Sequence, residues 1–190
     1  MRLNLDLRKK CFCNRFYLHS FRHAVNDATA MKLKGLAFMT ANGTTGTIRL
    51  HRILRTTPEK IYRAFLDPDA ISKWLPPYGF FCKVHHLDPK VGGTHKMSFT
   101  NFSTGNGHSF GGTYLELVPH ERIRYTDKFD DPNLPGEMQT TITLKKVLVG
   151  TELNIVQEGI PSVIPPEACY LGWQESLVLL AKLVEPEIPD

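Results

Sequence analysis

Apolar residues change their spacing along this chain. From Gly79 to Gly159 they recur mostly at every second position, in short runs separated by turn residues. From Pro165 to Glu185 they recur at every third or fourth. A period near two marks a strand with one buried face, and a period near 3.6 marks an amphipathic helix. The helical stripe is Cys169, Trp173, Leu177, Leu180 and Val184. Pro165 and Pro166 suit a first turn, Glu167 suits its positive end, and Pro186 stops the helix. A long amphipathic helix that follows an antiparallel sheet buries its stripe across the sheet's concave face. That shape implies a cavity more directly than it implies a reaction.

The same pattern places the remaining elements. Thr47 to Arg55 reads as a strand. Thr57-Pro58-Glu59 starts a short helix carrying Ile61, Tyr62 and Phe65, with Thr57 as its cap. Asp67-Pro68-Asp69 starts a second, carrying Ile71, Trp74 and Leu75, and Pro76-Pro77 ends it. Strands follow over 80–87, 94–102, 109–117, 122–129, 138–147 and 151–157. Gly92-Gly93, Gly105-Asn106-Gly107, Pro119-His120, the polar loop 130–136 and Gly150 separate them. Gly111-Gly112 reads as a bulge where the sheet bends. The class is α+β: a seven-stranded curved antiparallel sheet wrapped around a long C-terminal helix, with two short helices after the first strand.

Charge divides the chain of 190 residues unevenly. Residues 1–46 hold eight Lys/Arg against two Asp/Glu, and the rest is slightly acidic, although the whole carries +4. The division is therefore a basic, poorly ordered extension over 1–46 and one domain over 47–186. Three readings of the extension stand side by side: a preface upstream of the true start, a targeting presequence, and a basic arm for anionic lipid or nucleic acid. The body gives no charge-based reason to bind nucleic acid. No run approaches the roughly 20 apolar residues of a membrane span. Cys11 and Cys13 have no second pair at zinc spacing, and Cys82 and Cys169 read as buried free thiols, which suits a reducing cytoplasm.

Several blocks resemble a known family. Leu50 to Trp74, with Thr-Pro-Glu-Lys-Ile-Tyr-Arg-Ala-Phe, Asp-Pro and Lys-Trp, looks like the opening of the START-like, helix-grip superfamily. Pro89 to His95, Gly112 to Pro119 with Arg122 to Thr126, and Gly172 to Leu177 with Leu180 resemble the family related to the activator of the heat-shock protein 90 ATPase. The resemblance covers about 47–186, and its motifs are largely folding signatures. It implies the helix-grip fold and a space between sheet and helix that commonly holds a hydrophobic ligand. It does not fix a function.

Candidate cavity residues are Trp74, Phe80, His95, Met97, Phe99, Tyr114, Tyr125 and Met138, with Trp173, Leu177 and Leu180 on the last helix. Strand alternation lets the strand members point inward, where they read as pocket or as plain core, and Trp173 reads first as a core anchor. His85 and His86 are adjacent on a strand and point apart. No metal spacing, cofactor motif, Ser–His–Asp order or phosphate loop stands out. Leu171 and Val178 lie opposite the main helical stripe, where a second subunit could contact them. Three functions compete. The first is non-catalytic binding of a small hydrophobic ligand, lipid or polyketide-like, gated by the loops at 76–79 and 130–136. The second is a co-chaperone-like module with a chaperone partner. The third is a cyclase or hydrolase using the same cavity, for which convergent perturbed ionisable groups would be required. A void of several hundred cubic ångströms favours the first and a filled interior the second.

Overall fold

The computed structural model describes residues 45–189. The expectations for the extension fall outside that range except at Thr45 and Gly46. Strand β1 (Gly46–Leu54) is followed by two short helices, α1 (Pro58–Ala64) and α2 (Pro68–Trp74). Six strands come next: β2 (Phe80–Leu87), β3 (Thr94–Asn101), β4 (Gly107–Val118), β5 (Arg122–Phe129), β6 (Met138–Val147) and β7 (Gly150–Ile160). Helix α3 (Pro166–Val184) closes the chain. The seven strands form one curved sheet in the order β1-β7-β6-β5-β4-β3-β2, antiparallel at every pairing.

Alternation explains the sheet's inner face. Ile48, Leu50 and Leu54 from β1, Ile142 and Leu144 from β6, and Leu153 and Ile155 from β7 are all buried. Leu177, Leu180 and Val184 of α3 join them in the main core. At the upper end of the predicted stripe, Cys169 and Trp173 are only half-buried, and Gly172 and Ser176 take the buried positions instead. Small residues there let the helix approach the rest of the fold closely. Ser176 Oγ donates to the Leu75 carbonyl at 2.7 Å, fastening α3 to the end of α2.

Three local expectations differ from what is seen. The register of β4 against β5 shifts between Tyr114 and Glu116, so the irregularity lies at Leu115 and not at Gly111-Gly112. The glycine pair answers a different demand. A Cβ on Gly112 would lie 1.8 Å from the Thr126 carbonyl oxygen, and one on Gly111 would lie 2.4 Å from that of His95. Thr57 occupies the N-cap of α1 but makes no side-chain capping bond, whereas Asp67 caps α2 through bonds from the amides of Asp69 and Ala70 at 2.9 and 3.0 Å. The loop 130–136 is anchored by Leu134, which is buried in the main core.

Candidate functional site

A pocket lies beneath α2, where that helix covers β3, β4 and β5. Phe65, Ile71, Trp74 and Leu75 form one wall. His95 and Met97 of β3, Phe110 and Tyr114 of β4, and Tyr125 and Asp127 of β5 form the other. Strand pairing brings them together: Met97 stands opposite Phe110, and Tyr114 opposite Tyr125. His95 stands opposite Gly112, so no side chain from that position competes with the imidazole for space. Trp74 is held by a bond from its Nε1 to the Ala64 carbonyl at 2.8 Å, and its ring meets Phe65 edge-on at 4.6 Å.

The pocket is small, at about 30 Å³. That is room for one or two waters, far below the roughly 300–1,000 Å³ of an ordinary ligand site. The loop after α2 is tied to α3 by a bond from the Tyr78 amide to Glu175 Oε2 at 3.0 Å. The space beneath α2 is therefore nearly filled in this conformation.

Its polar content is unusual for a core. His95 Nε2 and Asp127 Oδ1 are 2.8 Å apart, and the two residues are only 4% and 7% exposed. An ionised carboxylate only accepts, so Nε2 carries the proton in that state. The other imidazole nitrogen, Nδ1, is buried and has no hydrogen-bond partner among the described residues. Tyr114 and Tyr125 flank the imidazole, with ring centroids 5.3 and 5.4 Å away. Burial raises the Asp127 carboxyl above its ordinary value, although the bond and charge of His95 oppose it. Burial, and then the neighbouring Asp127 charge, raise both phenols, Tyr125 well above the usual value although the residue as a whole keeps some exposure. Both hydroxyls therefore keep their protons at neutral pH.

Among the residues singled out from the sequence, Trp74, His95, Met97, Tyr114 and Tyr125 meet at this pocket. Phe99 packs against Phe110 at 4.9 Å beside it, and Phe80 is half-buried, 6.5 Å from the His108 ring. Met138, Leu177 and Leu180 lie in the main core, away from the pocket lining. Trp173 is half-buried and donates from Nε1 to Gln157 Oε1 at 3.1 Å. Sequence reasoning missed Asp127, Phe110, Phe65, Ile71 and Leu75. For Asp127 a signal existed: it continues the inward row Ile123, Tyr125, Phe129 of β5 and is its only charge. Among the described residues no three metal-ligating side chains cluster, and no helix is long and apolar enough to cross a membrane.

Residues 55–185 match the family described as activator of Hsp90 ATPase homolog 1-like protein. A crystal structure of a protein from Chromobacterium violaceum is 65% identical, with a TM-score of 0.74, over 74% of this chain and 98% of that one. A Rhodobacter sphaeroides protein, 21% identical over 74% and 96% of the two chains, superposes with a TM-score of 0.65. A protein of the same family from Aeromonas hydrophila, 20% identical over 74% and 92%, gives 0.61. The last two likenesses speak for the fold alone. No curated protein matches the chain.

Proposed function

The chain belongs to the activator of Hsp90 ATPase homolog 1-like family, and on that footing we propose that its domain is a non-catalytic binding module for a compact, largely apolar ligand bearing one hydrogen-bonding group. The carrying observation is the buried His95–Asp127 pair with an unpartnered Nδ1 inside an aromatic pocket. Burying such a pair costs stability, and leaving one of its atoms unsatisfied costs more, so the fold alone gives no reason to keep it. A ligand hydroxyl would supply the missing partner, with Trp74, Phe110 and Met97 around its body. The small void argues for a compact ligand over a long acyl chain. It also requires α2 and the loop after it to yield, which means releasing the Ser176–Leu75 and Tyr78–Glu175 bonds. The half-buried free thiols Cys82 and Cys169, which burial pushes up to about 11, fit a reducing, cytoplasmic setting.

Thermal unfolding with a panel of small hydroxylated aromatics and long-chain lipids tests this reading. A ligand at 100 times its dissociation constant should stabilise by about 2.7 kcal/mol, and His95→Leu should remove that gain. No stabilisation by any compact compound would overturn it. Following the same mixtures for turnover separates binding from catalysis. The small volume beneath α2 favours a second reading, a co-chaperone-like module acting through its surface. A changed chaperone ATPase rate on adding the protein is the outcome that reading needs.

A further inference from the structure

The inward row of β1 reads Ile48, Leu50, Arg52 and Leu54, so a charge occupies one place among three buried aliphatics. Arg52 is half-buried, and its Nη2 donates to Gln174 Oε1 of α3 at 3.1 Å. That partner is neutral. No carboxylate among the described residues lies within ion-pair distance of Arg52. A guanidinium presents five donors in a planar fork that suits an oxyanion, and one amide oxygen occupies little of that capacity.

Arg52 lines an open groove of about 420 Å³ between β1 and the last turns of α3. Arg55 and Lys182 line it too, and Lys182, exposed on α3, likewise has no ion pair among the described residues. The single acid of the lining is Glu185, which is engaged by Arg55: it accepts the Arg55 amide at 3.0 Å and lies 3.9 Å from Arg55 Nη2. Val178, Ala181 and Pro186 supply the apolar part. Excess positive charge beside apolar surface complements a molecule with the same two-part character.

We propose that this groove binds a small oxyanion, a carboxylate or a phosphate, attached to a short apolar body. The head lies on Arg52 and Lys182, and the body lies on Val178, Ala181 and Pro186. The groove shares no residue with the pocket beneath α2, so the two proposals stand or fall separately.

Calorimetric titration of the full chain with octyl phosphate and with octanoate, both below their micellar concentrations, tests the proposal. Saturable binding that weakens as salt is added is expected, because the head group is held by partly exposed charges. Arg52→Met keeps the alkyl stem over α3 and removes the fork. It should leave the melting temperature near that of the wild type and weaken binding by roughly tenfold or more. Lys182→Gln, at an exposed position that the fold does not need, should weaken it too, and Glu185→Gln should tighten it. Inorganic phosphate and octanol, each lacking one half of the ligand, should both bind more weakly than octyl phosphate. Wild-type affinity in Arg52→Met, octanol binding as tightly as octyl phosphate, or failure of both amphiphiles to saturate would overturn the proposal.

Discussion

Where α3 covers the sheet, the inward rows of β1, β6 and β7 are mostly aliphatic, interrupted by Arg52, Thr140, Thr151 and Gln157. Where α2 covers it, the rows of β3, β4 and β5 are aromatic and polar, and a void remains. Leu180 and Ile142 show no exposure at all in the first region, while the second contains His95, Asp127 and a pocket of about 30 Å³. The two coverings also differ in length, 19 residues for α3 against 7 for α2. A long helix with several buried turns gains its stability from packing, whereas a two-turn helix gains little of its own and leans on caps and fastenings. The contrast predicts different tasks for the two halves: the α3 half should hold the domain together, and the α2 half should be the part that opens.

The sharpest way to break that contrast is to truncate both halves. Leu180→Ala should destabilise the domain by about 2–5 kcal/mol in urea unfolding, toward the upper end because its surroundings are closed. Met97→Ala, beside an existing void that can relax, should fall at the lower end, about 2 kcal/mol. Equal costs would mean that the halves are equally packed. A smaller effect follows from the cap of α2. Asp67→Ala removes the acceptor for two amides and should cost about 1 kcal/mol. Hydrogen exchange should then speed up over α2 and leave α3 unchanged, and uniform acceleration would mean that α2 does not open separately.

The last contrast is a slope. The Asp127 carboxyl is raised by burial, so the folded protein holds that proton more tightly than the unfolded chain does. Stability from this group is therefore greatest at acid pH and falls as pH rises from the ordinary carboxylate range through the folded value of Asp127, above which it is level. Urea unfolding of the wild type and Asp127→Asn across that window should show their difference drifting in this direction. A drift of opposite sign would mean that the bond and charge of His95 outweigh burial. Among the described residues the α3 half offers no counterpart, since no carboxyl is buried there.

Most of the architecture was legible from spacing. The ends of β2, β5 and β6 fall where alternation stops, and the proline pairs bound α2 and α3. The site was legible only in part, for a reason visible in particular residues. His95, Met97, Tyr114 and Tyr125 announce themselves as large inward side chains, and Trp74 as an aromatic on a helix too short to need one. Asp127 and Arg52 carry a fainter mark: each is the one charge in an otherwise inward-facing row. Nothing local distinguishes Phe110 of the pocket from Ile142 of the closed core, because both are simply apolar at a buried parity.

Periodicity, breakers and caps act within a few residues, so the order of letters alone settled which segments become strands and helices and which face of each is apolar. Strand order and the seating of two helices of unequal length act over the whole domain. Those long-range contacts decided which side chains line the void beneath α2. They also set the imidazole of His95 against the carboxylate of Asp127, 32 positions along the chain. Packing selects among pairings that local chemistry leaves equal, and a cavity is the remainder of that packing, with no residue of its own to encode it.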